Sequence, residues 1–250
     1  QNKLEPLKRC VVGGSACPRS MMEIFYDKYN VNVIHAWGMT ETSPLGTVNT
    51  PLPKHSRHNK NEKFDLAIKQ GRPMYGIDIR ITDDKSNILP NDGKSFGDLW
   101  VKGPWVCSGY MNISDNESHS KDGWFLTGDV ATIDKDGYMN ITDRSKDVIK
   151  SGGEWISSIE IENIVIGHEK ISETAVIGVK HRKWDERPLL LVVLTKDSKV
   201  TKIEIFSFMK NKISNWWMPD DIIFLNELPH TATGKIRKNE LRDKYINYLI

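Results

Sequence analysis

The alternation of apolar and polar positions changes rhythm along the chain, and each rhythm predicts a different kind of element. Arg9-Cys10-Val11-Val12 followed by Gly13-Gly14-Ser15 is the pattern of a strand ending in a glycine loop. A helix is expected from Pro18 to Tyr29, with proline at its start where the missing N–H costs nothing. Val31-Asn32-Val33-Ile34 is the next strand and runs into His35-Ala36-Trp37-Gly38-Met39-Thr40-Glu41. Strand, helix, strand with polar loops after each strand predicts a parallel α/β sheet, whose ligands lie at the C-terminal strand ends.

After Pro51 the rhythm becomes two-fold. Lys54 to Lys63 has the charge of a solvated basic loop, and then Ile77, Ile79 and Ile81 alternate with Asp78, Arg80 and Thr82 as in a half-buried strand. Leu99-Trp100-Val101 and Val130-Ala131-Thr132-Ile133 continue the strands, and Asp134-Lys135-Asp136-Gly137 supplies a hairpin turn before Tyr138-Met139-Asn140-Ile141. Residues 72–142 are therefore expected to form a small antiparallel β unit, with closure into a barrel as one arrangement.

A third rhythm follows the segment Asp143 to Glu154, which packs charges and the pair Gly152-Gly153 between two regions of different pattern, as a hinge at a domain boundary does. Beyond it, Ser157 or Ser158 can cap a helix presenting Ile161, Ile164, Val165 and His168 on one face. Strands are expected at Thr174 to Val179, Leu189 to Thr195 and Asp221 to Leu225. Thr201 with Glu204 forms a capping box for a helix to about Ile213, and a last helix begins near Arg237. The fold class is thus α/β plus α+β: the end of a parallel-sheet domain with a small antiparallel β unit over 1–143, then a mobile α+β domain over 144–250.

Composition narrows the classes of function. The chain has 250 residues, 38% hydrophobic and 27% charged, with a formal net charge of +2, the profile of a soluble globular protein with no electrostatic case for nucleic acid. No apolar run approaches the ~20 residues that span a bilayer. Cys10, Cys17 and Cys107 lack metal-ligand spacing and are expected as reduced thiols in a reducing, cytoplasmic compartment; an upstream targeting segment and peripheral membrane association stay open. Gln1 stands directly before a strand-like run, so the chain is expected to be part of a longer protein.

Three loops carry candidate chemistry. Trp37-Gly38-Met39-Thr40-Glu41-Thr42-Ser43-Pro44 offers an aromatic face, hydroxyls and a carboxylate at a sheet edge. That set suits a nucleotide, with Trp37 stacking on a base, Thr40 bonding a phosphate and Glu41 holding Mg²⁺. Taken singly, Trp37 is a core residue and Glu41 a surface charge. In Asp122-Gly123-Trp124-Phe125-Leu126-Thr127-Gly128-Asp129, Asp129 can accept both hydroxyls of a ribose, or be a turn aspartate. In Pro229-His230-Thr231-Ala232-Thr233-Gly234-Lys235-Ile236, a single glycine precedes the lysine, so no P-loop pattern is met; Lys235 could still reach an anionic reaction centre.

In this order the motifs closely resemble the adenylate-forming superfamily of acyl-CoA synthetases, luciferases and peptide-synthetase adenylation domains, from Gly13 to about Leu241. The fatty-acid–CoA ligase branch and the 3-methylthiopropionyl-CoA ligase branch match best, through His35 to Glu41, Lys150 to Ser158 and Trp184-Asp185-Glu186-Arg187-Pro188. The resemblance implies a reaction of a carboxylic acid with ATP and coenzyme A, giving acyl-CoA, AMP and pyrophosphate. It implies that Gly14, Ser15 and Ala16 border adenine and the acyl carboxylate, and that Trp37 stacks on adenine. Thr40 and Glu41 would contact phosphate and Mg²⁺, and Asp129 and Arg144 the ribose. Lys146, followed by Asp147, would be the hinge, Gly152 and Gly153 would line the pantetheine tunnel, and Lys235 would stabilise the adenylation transition state. The family's Ser/Thr/Gly-rich phosphate loop has no counterpart in this chain, so the isolated 250 residues are expected to lack ligase activity. Carrier-protein loading, luciferase-type oxidation and a non-catalytic nucleotide-binding or scaffold module are the alternatives; retention of Lys235 argues against the last. Acyl-chain identity and oligomeric state are not encoded in these motifs.

Overall fold

The computed structural model describes residues 6–112, 118–232 and 234–250. They form two compact units, Gln1–Ser145 and Lys146–Ile250. In the first unit, β1 (Arg9–Val12) and β2 (Asn32–Trp37) pair in parallel, with α1 (Arg19–Tyr29) as the crossover between them. Pro18 sits one position before the helix, where its carbonyl accepts the Met21 and Met22 N–H groups at 3.0 and 3.3 Å. Asn30 stops the helix in the left-handed region, φ 53°, with its N–H returned to Tyr26. β3 (Thr47–Val48) and β4 (Arg72–Pro73) add antiparallel to β2, so the sheet is mixed; the short connection from β2 to β3 leaves no room for a parallel crossover.

Lys54 to Lys63, expected as a solvated loop, instead contains a 3₁₀ turn, Pro53–Arg57, and the start of α2 (Lys60–Ala67). The cause is a capping box: Asn59 Oδ1 accepts the Glu62 N–H at 3.0 Å, and Glu62 Oε2 accepts the Asn59 N–H at 2.8 Å.

β5 (Asp78–Thr82), β6 (Gly97–Lys102), β7 (Phe125–Ile133) and β8 (Met139–Arg144) form an antiparallel sheet in that order. It stays open: among the described residues no pairing joins β5 to β8. The 134–137 turn closes as expected, with the Gly137 N–H on the Asp134 carbonyl at 2.8 Å. The inner face buries Ile81, Leu99, Val101, Phe125 and Ile133 against Trp37. Gln70 ties the two sheets together, donating its N–H to the Met139 carbonyl at 3.0 Å and accepting the Ile141 N–H on Oε1 at 2.6 Å.

The second unit begins with the hairpin β9 (Ile149–Ser151) and β10 (Glu154–Ile156). α3 (Ser158–Val165) is capped by Ser157, whose Oγ accepts the Glu160 N–H at 3.1 Å. Ile161 and Val165 are buried, but the helix ends at Val165, so His168 lies beyond it, edge-on to Phe208. β11 (Ile171–His181) and β12 (Asp185–Leu194) form the central antiparallel pair, and β13 (Asp221–Leu225) runs parallel to β12. α4 (Lys202–Met209) has the expected Thr201–Glu204 capping box but stops short of Ile213, with Asn211 in the left-handed region at φ 64°. α5 (Lys238–Tyr245) ends the unit.

This sheet is buried on both faces, as period-two alternation between two apolar sets requires. Val176, Leu190, Val192 and Ile222 join Ile149 and Ile156 of the hairpin and the apolar sides of α3 and α4 in one core. Ala175, Ile177, Leu189 and Leu191 join Leu228, Leu241 and Ile236 in the other.

Arg187 is the polar lock of the unit. Only 7% exposed, it donates from Nε to Asp220 at 2.6 Å and through its terminal nitrogens to the Trp216 and Met218 carbonyls at 2.8 and 2.9 Å and Ser151 Oγ at 3.3 Å. Arg187→Ala strands these acceptors and is expected to destabilise the chain by about 3 kcal/mol in urea denaturation. Arg187→Lys should recover less than half of that, because one ammonium cannot span the fork of acceptors.

Candidate functional site

β1 and β2 run in parallel register, Val12 against His35, so the loops after them leave the same sheet edge. Gly14, Ser15 and Ala16 are exposed on the first loop. His35 ties it to the end of α2: Nδ1 lies 2.8 Å from the Ile68 carbonyl and Nε2 3.4 Å from the Ser15 carbonyl. Burial holds the His35 pKa below the usual imidazole value, against the pull of those carbonyls. On the second loop, Thr40–Thr42 make a 3₁₀ turn with Thr40 exposed and Glu41 half-exposed. Buried Thr42 fastens it, accepting the Met39 N–H at 2.9 Å and donating to the Pro44 carbonyl at 2.8 Å.

Glu41 has a neighbour that sequence reasoning missed. Its Oε1 accepts the Tyr110 hydroxyl at 2.7 Å, and its carbonyl accepts the Cys107 N–H at 2.8 Å. The bond to Glu41 is the main reason the Tyr110 phenol is pushed up to about 12. The only sequence signal is an aromatic directly after Gly109 in a loop beyond a strand.

Trp37, Asp129 and Arg144 come together as one cluster. Asp129 is 3% exposed; its Oδ2 accepts the Trp37 Nε1–H at 2.8 Å and its Oδ1 lies 2.9 Å from Arg144 Nε. Two features of β7 produce this. Asp129 faces Arg144 across the β7–β8 ladder. On its other side β7 bulges: Leu126 pairs with Trp100 and Val130 with Asp98, so Thr127, Gly128 and Asp129 stand opposite Leu99 alone. Gly128 takes φ +72° there, and the bulge turns the Asp129 carboxylate toward Trp37. Trp37 is itself 8% exposed, a member of the sheet core, and a Cβ at Gly46 would stand 2.3 Å from its ring.

The remaining predicted residues belong to the second unit. The chain is anchored on both sides of Lys146. Ser145 donates its N–H to the Gly128 carbonyl at 3.0 Å and its hydroxyl to Asp98 at 2.8 Å, within the first unit. Asp147 is held by Arg242 within the second. Among the described residues the Lys146 side chain makes no hydrogen bond or ion pair. Gly152 and Gly153 turn the β9–β10 hairpin with φ +57° and +85°. Lys235 is exposed on a small loop in which the Thr231 N–H meets the Lys235 carbonyl at 2.7 Å and the Gly234 N–H the Thr231 carbonyl at 2.9 Å. Thr233 of that motif lies outside the described residues. Ile236, next to Lys235, packs in the core of one sheet face, while Ile149 and Ile156 root the glycine hairpin in the core of the other.

Among the described residues no group of three or more His, Cys, Asp or Glu is placed to hold a metal ion. Glu41 alone, with no bond to its Oε2 among the described residues, fits an ion such as Mg²⁺ that draws its other ligands from phosphates and water. A cavity of about 620 Å³ between α1, β2 and α2, lined by Met22, Tyr26, Ile34, Phe64 and Leu66 among others, is bordered by none of the predicted site residues.

The AMP-binding enzyme model matches residues 1–111, and the AMP-binding enzyme C-terminal domain model matches residues 160–235. The chain belongs to the AMP-binding enzyme family. It is 53% identical over 243 residues to the 3-methylmercaptopropionyl-CoA ligase of Ruegeria lacuscaerulensis, covering 97% of this chain and 45% of that protein. The medium-chain-fatty-acid–CoA ligase of Ectopseudomonas oleovorans is 53% identical over 249 residues, covering 100% and 45%. Crystalline ATP-bound MatB from Rhodopseudomonas palustris superposes with a TM-score of 0.81 at 28% identity, covering 96% of this chain and 46% of that one. The chain thus spans about half the length of the relatives it matches. No helix among the described residues is long and apolar enough to cross a membrane, and Cys10, Cys17 and Cys107 are free thiols.

The two hairpin glycines differ in a measurable way. A Cβ at Gly153 meets nothing within 4 Å, whereas one at Gly152 stands 3.1 Å from Trp184 and 3.2 Å from Trp216. Gly153→Ala should cost about 1 kcal/mol from backbone strain alone. Gly152→Ala should cost at least about twice as much, because the paired indoles must also move; equal urea midpoints for the two variants would contradict this packing.

Proposed function

We propose that the chain is part of an AMP-forming carboxylic acid–CoA ligase, which joins an acid to AMP with loss of pyrophosphate and then passes the acyl group to the thiol of coenzyme A. The activity is proposed for the full-length protein, since the chain covers 45% of its relatives. An aliphatic acid is the proposed substrate, because the relatives at 53% identity are named for 3-methylmercaptopropionate and medium-chain fatty acids. A cytoplasmic location belongs to the same reading and rests on the free thiols.

The observation that carries the reading is the two-faced second unit. Attack of a carboxylate on the α-phosphate crowds negative charge, so the first step needs a cation at the reacting centre, and Lys235 supplies one. The second step needs a narrow approach for a thiol, which the Gly152–Gly153 hairpin can line without side chains. The two elements are rooted in opposite faces of one sheet, so one rigid unit can present either, given a pivot. Lys146, between anchored Ser145 and anchored Asp147, suits that pivot. In the first unit, Asp129 and Arg144 offer a buried acceptor and an adjacent guanidinium for a ribose, with the remaining exposed part of Trp37, bonded to Asp129, and the exposed Gly14–Ala16 loop assigned to adenine. Thr40 is exposed for phosphate contact, and Mg²⁺ bound at Glu41 would supply Lewis-acid neutralisation of the phosphates.

In the full-length protein, Lys235→Ala is expected to lower acyl-adenylate formation, followed by pyrophosphate exchange, by about 10²-fold. It should leave thioester formation from preformed acyl-adenylate within a few-fold of normal. Gly153→Leu should give the reverse split. Unchanged pyrophosphate exchange in the lysine variant would remove the assigned role, and a wild-type protein that forms no CoA thioester across a panel of aliphatic acids would remove the reading itself.

A further inference from the structure

We propose that Tyr110 is a positioning residue for the Glu41 carboxylate, and that the stretch Cys107–Tyr110 grips Glu41 at two points so that Oε2 is presented as the ligand oxygen for a phosphate-bound Mg²⁺. The proposal rests on the reading of Glu41 as the Mg²⁺ carboxylate. Glu41 lies in a three-residue 3₁₀ turn, which by itself does little to fix a long side chain. Ordering a free glutamate costs rotamer entropy, a cost otherwise met when the metal binds. One segment removes that freedom twice over. The Cys107 N–H holds the Glu41 carbonyl at 2.8 Å, and the Tyr110 hydroxyl holds Oε1 at 2.7 Å, so backbone and side chain share one reference.

The grip is rooted in the core. The Tyr110 ring stands edge-on to Phe125 and to His119, with centroids 6.4 and 6.1 Å away. His119 in turn places Nε2 2.9 Å from the Cys107 carbonyl, and Phe125 is buried on β7. The chemistry of the donor matters as much as its position. An arginine or lysine at this place would orient the carboxylate but also cancel its charge and compete with the cation. A phenol donates one hydrogen bond and leaves the net negative charge on Glu41.

The test uses Tyr110→Phe in the full-length protein, which keeps the ring and its edge contacts and removes only the hydroxyl. Calorimetric binding of ATP with Mg²⁺, and of AMP without it, separates the metal contact from the base and ribose contacts. The Kd for ATP with Mg²⁺ and the Mg²⁺ concentration giving half-maximal pyrophosphate exchange should each rise about fivefold, as the metal must then order a glutamate that is no longer held in place. The Kd for AMP and the melting temperature should stay unchanged. Adding Tyr110→Phe to Glu41→Gln should have no further effect, because the hydroxyl acts through the carboxylate. An unaltered Mg²⁺ dependence, or equal weakening of AMP and ATP binding, would overturn the positioning role. A wild-type protein whose ATP binding ignores Mg²⁺ would overturn the Glu41 assignment instead.

Discussion

The first unit is organised around one buried carboxylate. Asp129 is almost fully removed from water, and burying a charge costs several kcal/mol unless its lone pairs are met. Trp37 meets it from β2 and Arg144 from β8, so a single acceptor joins the mixed sheet to the antiparallel one. The bulge at Thr127–Asp129 exists in service of this contact, since a regular strand would not turn that side chain toward the indole. The loop carrying Thr40 and Glu41 starts directly after Trp37, so its origin is set by the same bond.

The second unit solves a different problem. Its central strands alternate between two apolar sets, which makes the sheet a wall with a core on each side. Loops rooted in opposite cores cannot drift toward each other without unpacking one of them. Arg187 adds a polar bolt on the hairpin side, connecting Ser151 with Asp220 and the Trp216 and Met218 carbonyls. The second unit is thus tied together internally, and the pivot proposed at Lys146 lies between Ser145 and Asp147, which each bond to their own unit.

Local signals gave most of this in advance. The strands β1, β2 and β13, the Thr201–Glu204 capping box and the 134–137 turn follow from side-chain types and spacing, because each is decided within a few residues. Lys54 to Lys63 shows the opposite error: its charge suggested a loop, while the Asn59–Glu62 pair had already specified a helix start. Trp37 illustrates a deeper limit. Its single-residue reading as core holds, since it is buried, yet no local pattern shows that it is also bound to Asp129, 92 positions away. Tyr110 was out of reach, because its bond to Glu41 spans 69 positions and no local pattern announces it. Arg187 stood in a motif that marked a family branch, yet nothing in the motif revealed four acceptors gathered from two other segments.

The two carboxylates proposed for the site of the first unit are partnered differently, and the difference fits the ligand proposed for each. Asp129 lies against Arg144, so much of its charge is compensated. A ribose hydroxyl asks only for a lone pair in the right direction, and compensation makes the burial affordable without spoiling that. Glu41 is half-exposed, and among the described residues its carboxylate is hydrogen-bonded by a phenol and by no cation. A cation asks for net negative charge, which a guanidinium at the same distance would take away; at an effective dielectric near 20, a unit charge 4 Å away is worth about 4 kcal/mol. Solvent near Glu41 tolerates an uncompensated carboxylate, whereas the core around Asp129 does not. Burial, partner and proposed ligand are thus a single choice at each position: the buried acid is paired with a guanidinium and suits hydroxyls, and the half-exposed acid, oriented by a neutral donor, suits a cation.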